Sequence, residues 1–104
     1  MYRVFKEPKF QKKAEKLLDK HEIKELEKFI MNLKKGILAG KWLTYNFFRE
    51  KKIGGKRIYF LVYDDIKVIL LVGCSNKKYQ QTTIDEIKLF FPELKKYAYD
   101  AFKQ

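Results

Sequence analysis

The first third of the chain changes from a short strand pattern to a helical pattern of apolar residues. Residues 2–5, YRVF, favour a strand, and two apolar sets at helical spacing follow. The polar residues 19–21, DKH, separate the two sets, which indicates two helices joined by a tight turn, with one bent helix as the alternative. Gly36 follows two lysines and is typical of a helix C-cap. The two sets are Phe10, Ala14, Leu17 and Leu18, and then Ile23, Leu26, Phe29, Ile30 and Leu33.

The middle of the chain has the pattern of β-strands. Residues 42–48, WLTYNFF, are aromatic and partly alternating. Residues 57–63, RIYFLVY, and residues 67–73, KVILLVG, have few polar positions, and the acidic pair 64–65 between them indicates a hairpin turn. Because both runs are almost wholly apolar, we predict that they lie centrally in a sheet with both faces covered.

The end of the chain predicts a helix. A capping-box pattern begins at either Thr82 or Thr83, and Pro92 then either kinks the helix or starts a second short one. The element order is β-αα-βββ-α. It predicts an α+β fold in which a helical hairpin packs on a small, mostly antiparallel sheet, followed by the C-terminal helix. The length of 104 residues predicts one domain, residues 1–104.

Net charge is the unusual feature of the composition. The chain has 24 Lys and Arg against 13 Asp and Glu, a formal net charge of +11. Such a field attracts nucleic acid, an anionic membrane or an acidic protein, whereas the simpler alternative is a Lys-rich surface that confers solubility. The sequence shows no signal peptide and no apolar run long enough to span a membrane, and its single cysteine excludes an internal disulfide. We therefore expect a soluble cytoplasmic protein without membrane association.

Positive charge is concentrated directly before a predicted core strand. In FREKKIGGKRIYF, residues 48–60, five cations are opposed only by Glu50. The hairpin that follows should bring residues 77–78, KK, alongside Arg57, so that the two basic segments form a wall around a phosphate chain. Nearby tyrosines would stack on unpaired bases, although solvated loops and packed tyrosines are the alternative. The cations of the first segment are Arg49, Lys51, Lys52, Lys56 and Arg57, and the tyrosines are Tyr45, Tyr59 and Tyr79.

The other reactive residue types are isolated. His21, the only histidine, falls in the predicted helical turn and is expected at the surface or as a capping residue, so no histidine-based mechanism is available. Cys74 has no second cysteine near it and is expected to be a small packed residue. The sequence lacks the clustered ligands of a zinc site. We expect neither a metal ion nor another cofactor.

The ordered set of segments resembles the RelE/ParE toxin family of bacterial and archaeal toxin–antitoxin systems, in its RelE-like branch of messenger RNA interferases. The segments cover nearly the whole chain: KKAEKLL, then GKWLTYNFFREKKIGG leading into KRIYFLVYDD, and then KVILLVGCSNKKYQQTTIDEIK. The resemblance implies an endoribonuclease toxin that cuts messenger RNA in the ribosomal A site without a metal ion. It also implies a small antitoxin that wraps the basic groove.

The resemblance further implies which residues form the site. Arg57 matches the family's arginine near the start of the central strand, and Lys77 matches the basic residue after the next strand. The family's late tyrosine falls nearest Gln81, two residues after Tyr79. Arg49, Lys51 and Lys52 fall in the family's basic strand and loop, and contacts to RNA outside the catalytic group are assigned to Lys56, Lys78, Tyr45 and Tyr59.

These residue types suit phosphoryl chemistry. Arg49 and Arg57 can hold two phosphate oxygens and stabilise a phosphorane-like transition state. A lysine crowded by other cations loses its proton more readily, so Lys51 or Lys52 is the candidate base. Tyr79 or a lysine is the candidate acid.

Two other functions remain open. The same fold serves gyrase-inhibiting toxins of the ParE branch, which a supercoiling assay would detect. Gln81 in place of a tyrosine also leaves room for a non-catalytic RNA-binding relic of the family. Salt-sensitive RNA binding without cleavage on ribosomes would favour the relic.

Overall fold

Five strands and four helices make up the chain, and the computed structural model describes all of residues 1–104. This arrangement confirms the α+β fold class and the division of residues 8–34 into two helices. The first half contains β1 (Arg3–Lys6), α1 (Pro8–Leu17), α2 (Lys20–Lys34) and β2 (Lys41–Trp42). The second half contains β3 (Phe48–Ile53), β4 (Lys56–Tyr63), β5 (Val68–Asn76), α3 (Gln80–Leu89) and α4 (Phe91–Phe102).

The strands form one sheet in the order β1-β5-β4-β3-β2. β1 pairs with β5 in parallel, and every other neighbouring pair is antiparallel, which confirms the mostly antiparallel sheet. The most apolar strands, β4 and β5, lie inside the sheet, as their sequences predict. The predicted turn between them is also present, over residues 64–67.

Each face of the sheet is covered by a different pair of helices. Ile58, Phe60 and Val62 of β4 belong to a core with residues of α1 and α2. Tyr59 and Leu61 of the same strand belong to a second core with residues of α3 and α4. We call these sides the α1–α2 face and the α3–α4 face. A strand covered on both sides has no solvent-facing positions, which explains the continuous apolar runs.

The α1–α2 hairpin is delimited by local capping chemistry. The Asp19 carboxylate accepts the N–H of Glu22, and the Glu22 carboxylate accepts the N–H of Asp19, so a complete capping box begins α2. The polar residues between the apolar sets thus mark a true helix boundary. At the other end of α2, the C-cap is Lys35 and not the predicted Gly36. Gly36 follows the C-cap with φ of 89°, a positive value typical of a glycine at that position.

The last helical region differs from its predicted start. The capping box expected at Thr82 or Thr83 is wrong, because α3 begins at Gln80 and no side chain caps it. Pro92 lies in the first turn of a separate helix, α4, which was one of the two predicted alternatives. None of the four helices combines the length and apolar composition needed to cross a membrane.

The aromatic segment 42–48 does not form the strand that its pattern predicts. β2 contains only two residues, and the chain turns before β3 begins at Phe48. In this turn Tyr45 stacks on Phe47, with the ring centroids 5.1 Å apart. The basic residues after Phe48 instead form a regular strand, because each of them pairs with a residue of β4.

Gly54, at the tip of the β3–β4 hairpin, lies directly against the start of α2. Its φ is +57°, and a Cβ at this position would lie 2.6 Å from Glu22 Oε2. Glu22 both caps α2 and accepts a hydrogen bond of 3.3 Å from Lys56 Nζ. The glycine therefore allows the hairpin tip to be joined to α2 by one carboxylate.

Candidate functional site

The alternation of side chains along β3 divides the basic segment between the two faces of the sheet. Arg49 and Lys51 lie opposite β4 residues of the core under α1 and α2, whereas Lys52 lies opposite Arg57 on the α3–α4 face. The prediction that all five cations form one wall is therefore wrong, because successive residues of a strand point to opposite faces.

Arg49 holds the β2 region in place on the α1–α2 face. Its Nε donates to the carbonyl oxygen of Asn46 at 3.0 Å, and its Nη1 donates to that of Leu38 at 3.2 Å. The guanidinium carbon also lies 5.5 Å from the centroid of the Trp42 ring. These contacts keep the guanidinium on the opposite side of the sheet from Arg57.

The other two cations of this face also have partners within the protein. Lys51 Nζ lies 5.8 Å from the centroid of the Phe29 ring on α2. Lys56 Nζ pairs with the buried carboxylate of Glu22 at 3.3 Å. The structure thus does not bring Lys51 or Lys56 together with Arg57.

A second group of cations lies at one end of the sheet, where β4 begins and β5 ends. Lys52, Arg57 and Ser75 form a cross-strand row on β3, β4 and β5, and the chain continues from β5 into two lysines. The register places Ser75 opposite Arg57, so the second basic segment follows β5 at the end of the sheet where Arg57 lies. We call Lys52, Arg57, Lys77 and Lys78 the cationic end of the sheet. Its three lysines are exposed and form no ion pair.

Arg57 is the buried member of the cationic end. It is only 8 % exposed, and its Nε lies 4.0 Å from Glu50 Oε1, which is beyond hydrogen-bonding range. Glu50 is 5 % exposed, and its Oε2 accepts a hydrogen bond of 2.7 Å from Gln80 Nε2. Arg57 Nε is the one buried side-chain polar atom without a hydrogen-bond partner. Since an unsatisfied buried donor costs about 1–3 kcal/mol, this N–H is suited to bind an oxygen of a ligand.

The three tyrosines expected to stack on bases have different environments. Tyr59 is fully buried, its hydroxyl hydrogen-bonds with Ser75 Oγ at 2.9 Å, and burial raises its pKa. The expectation of an available ring is therefore wrong for Tyr59, because the ring belongs to the core under α3. Tyr45 packs on Phe47 at the other end of the sheet. Tyr79, which is 52 % exposed, adjoins the cationic end.

The turn from β5 into α3 fixes the position of Tyr79. Asn76 Oδ1 accepts the N–H of Tyr79 at 3.1 Å, and Lys78 Nζ lies 5.5 Å from the centroid of its ring. Gln81 instead directs its amide to Asp85 on the next turn of α3, at 2.9 Å. The side chain matched to the family's late tyrosine is thus bound along its own helix.

Sequence reasoning missed three polar residues of this site: Glu50, Ser75 and Gln80. Glu50 is the lone acid of the basic segment, and strict alternation from Phe48 would have placed it on the same face as Lys52. No local signal identifies Ser75 or Gln80, because their contacts depend on strand register and on the residue at which α3 begins.

The remaining candidate groups lie outside this cluster. His21 is exposed, as expected, and its Nδ1 lies 3.1 Å from Glu25 Oε1. No group of three or more His, Cys, Asp or Glu side chains is arranged to hold a metal ion. The polar groups present at the cationic end are guanidinium, ammonium, carboxylate and phenol groups.

We expect Cys74 to resist alkylation in the folded protein. The thiol is buried on β5, as predicted, and burial raises its pKa to about 11. Because the thiolate is the nucleophile, only about one thiol in a thousand is ionised at pH 8. Mass spectrometry should show native Cys74 unmodified under conditions in which iodoacetamide fully alkylates the urea-unfolded chain. Equal rates in the two states would contradict the buried position.

Comparison with known proteins identifies the fold. No protein-family model matches the chain, and no curated protein sequence matches it. The isolated RelE toxin from E. coli superposes with a TM-score of 0.59 over 84 % of this chain and 99 % of RelE, at 17 % sequence identity. The chain has the RelE fold. A copper-bound mutant toxin from Helicobacter pylori also matches, with a TM-score of 0.55 and 21 % identity over 75 % of this chain and 97 % of the toxin.

Almost the whole RelE chain has a structural counterpart here, so the likeness extends beyond one hairpin or one helix pair. The RelE fold expected from the ordered segments is thereby confirmed. In this version of the fold, the β3–β4 hairpin, the end of β5 and the start of α3 meet at the cationic end.

Proposed function

We propose that this chain is the toxin of a toxin–antitoxin system and that it cleaves messenger RNA on the ribosome without a metal ion. The observation that carries the proposal is the buried Nε of Arg57, which has no hydrogen-bond partner, beside three exposed lysines. The RelE fold, shared with two bacterial toxins, supports the biological class.

The cationic end suits a reaction in which negative charge accumulates on phosphorus-bound oxygens. Attack by a ribose 2′-oxygen on the adjacent phosphorus gives a phosphorane-like transition state. Arg57 is held by the strand and by burial before the substrate binds, so its N–H groups need little reorganisation. Lys52 and Lys77 are exposed and can neutralise the scissile and flanking phosphates.

Two proton transfers must accompany this cleavage. The 2′-hydroxyl loses a proton as its oxygen bonds to phosphorus, and the 5′-oxygen gains one as its bond to phosphorus breaks. The products are a 2′,3′-cyclic phosphate and a 5′-hydroxyl. The Glu50 carboxylate can accept the first proton; Lys52 could do so only as the neutral amine, in which form it would not neutralise a phosphate. Lys77 or Tyr79 can donate the second proton. Lys51, the other candidate base, lies on the opposite face of the sheet.

Excess charge also supports an acidic antitoxin as the partner. Ion pairs engage only four of the 24 Lys and Arg residues, and the net charge is +11. An acidic amphipathic segment would neutralise the exposed lysines and block access of RNA to Arg57. The proposed function also implies that the toxin acts in the cytoplasm, where messenger RNA and ribosomes are found.

RNA binding without cleavage is the second candidate function, and Glu50 favours it. A carboxylate beside Arg57 repels a phosphate, and Arg57 itself reaches little of the surface at 8 % exposure. In this case the exposed lysines would bind RNA electrostatically, and no group would promote attack by the 2′-oxygen.

Neighbouring lysines of β3 provide a matched test of the site. Lys52→Ala removes a charge from the cationic end, whereas Lys51→Ala removes the same charge from the opposite face. In a purified translation system, with 5′ ends mapped by primer extension, we expect Lys52→Ala to lower the cleavage rate about 10–100-fold. Lys51→Ala should stay within about twofold of the wild type.

The same assay separates the candidate functions. Intact messenger and normal protein output with the wild-type chain would contradict cleavage, and steeply salt-dependent RNA binding would then favour the second candidate. Inhibition of DNA supercoiling in place of translation would instead identify a ParE-like activity. Equal losses in the two lysine variants would contradict the placement of the site on the α3–α4 face.

A further inference from the structure

One side of α1 carries four lysines that the candidate site does not use. They follow the spacing i, i+3, i+4 and i+7, which places them within an arc of about 100° on the helix. The core side of the same helix is formed by Phe10 and Ala14, so the lysines project away from the sheet and are exposed. The four residues of this α1 lysine face are Lys9, Lys12, Lys13 and Lys16.

No carboxylate forms an ion pair with the α1 lysine face. Glu15 is the only acid within α1, and no ion pair of the protein involves an α1 residue. The lysines of α2, in contrast, alternate with Glu22, Glu25 and Glu27. The charge of α1 is therefore presented to solvent, whereas that of α2 is largely balanced within the helix.

Local energetics oppose this arrangement. Like charges three or four residues apart destabilise a helix, and the α1 lysine face contains four such pairs. Lys9 also lies in the first turn, where the helix dipole disfavours a cation; the one acid at this end is the N-cap Glu7, whose carboxylate accepts the N–H groups of Lys9 and Phe10. A residue choice that works against local stability is expected at a functional surface.

We propose that the α1 lysine face binds the phosphate backbone of double-stranded RNA, as a second contact beside the cationic end. This inference rests on the proposed function and gives it a partner class: structured RNA that holds the protein next to its single-stranded substrate. α1 packs on β5, and β5 leads directly into Lys77 and Lys78. Lys9 and Lys13 also line a groove with Gly73 of β5 and Thr83 of α3, so the α1 lysine face borders the start of α3, although α1 itself lies on the other side of the sheet from Arg57.

The chemistry of the face favours a duplex over other anions. Single-stranded nucleic acid is bound by stacking on aromatic rings. α1 itself exposes none, and Lys9 Nζ lies over the exposed ring beside it, that of Phe90, 5.6 Å from the centroid. Duplex RNA is contacted mainly through its phosphates, for which lysines suffice. A membrane surface requires apolar groups that can insert, but the exposed residues of α1 are lysine, glutamine, glutamate and proline. An acidic peptide anchored in the groove of Phe90 and Leu94 would meet Lys9 and Lys13 but would leave the other two lysines of the face unengaged.

Salt-dependent binding of a short blunt RNA duplex to the full chain tests this inference. One variant changes Lys9, Lys12, Lys13 and Lys16 to Gln, and a matched control changes Lys24, Lys28, Lys34 and Lys103 to Gln. All eight lysines are exposed and form no ion pair, so the variants have equal net charge. For the association constant K of the duplex, the slope of log K against log salt concentration is negative. Its magnitude should decrease by about 3 in the α1 variant and by less than about 1 in the control.

Further variants and probes settle each outcome. Changing the four α1 lysines to Arg should retain duplex binding, and circular dichroism should show that the Gln variant is folded, since it relieves repulsion within α1. Equal slopes in the two Gln variants, or no duplex binding by the wild type, would overturn the inference. The inference would also be overturned if the α1 Gln variant lost binding only to single-stranded RNA or only to anionic vesicles. If the wild-type chain cleaves no messenger RNA, but the α1 Gln variant loses the duplex binding that the wild type has, the inference would stand and the nuclease activity would be contradicted.

Discussion

Arg57→Ala is expected to reduce messenger cleavage on ribosomes about 10²–10³-fold, the loss typical of removing one preorganised donor to a developing oxyanion. Arg57 supplies the buried N–H that has no hydrogen-bond partner in the protein, so its hydrogen bond to phosphate is made only when the substrate binds. The measurement is the single-turnover rate at which new 5′ ends appear in a purified translation system.

Arg57→Lys is the matched control, because Arg57→Ala leaves the buried carboxylate of Glu50 without a neighbouring charge. Lysine retains that charge but lacks the planar guanidinium that can hold two phosphate oxygens. We expect Arg57→Lys to keep the urea midpoint of the wild type more closely than Arg57→Ala while cleavage remains reduced. A folded Arg57→Ala variant that cuts at the wild-type rate would contradict the catalytic role.

Phe60→Ala should lower the free energy of unfolding by about 3–5 kcal/mol. Phe60 is fully buried in the centre of β4, and its ring meets Phe29 of α2 edge to face, with the centroids 5.4 Å apart. A domain of this size has only about 5–15 kcal/mol of net stability, so the variant should be close to unfolding at 37 °C. Urea denaturation with an unchanged slope would measure the loss.

Phe90→Ala provides the comparison on the surface. Phe90 is 50 % exposed at the junction of α3 and α4, and we expect its removal to cost less than about 1 kcal/mol. Similar losses of unfolding free energy in the two variants would contradict the assignment of Phe60 to the core under α1 and α2.

The helical hairpin and the two central strands follow from local sequence patterns. The apolar sets of α1 and α2 repeat at helical spacing, and Asp19 with Glu22 closes a capping box from residues only three apart. β4 and β5 are continuous apolar runs because both of their faces are covered. In each case the interactions that form the element lie within it, or its burial alone determines its apolar pattern. A short window of sequence is therefore enough to predict the element.

The start of α3 shows where local patterns fail. Thr82 and Thr83 match a capping box, but Thr83 is buried at 5 % exposure, and the helix extends back to Gln80. The amide of Gln80 reaches Glu50, thirty residues earlier in the chain. A hydrogen bond formed across the α3–α4 face therefore accompanies the earlier start, and no local pattern contains it.

The amino-acid sequence determined that this protein is strongly cationic and that its charge gathers around β3, β4 and the end of β5. Only the tertiary structure decided which cations share a site. Lys51 and Lys52 are neighbours in sequence, yet they lie on opposite faces, whereas Arg57 and Lys77 are twenty residues apart and lie at the same end of the sheet. The physical reason is that charge is a property of each residue, but the field at one point depends on strand register and on the face to which each side chain is directed.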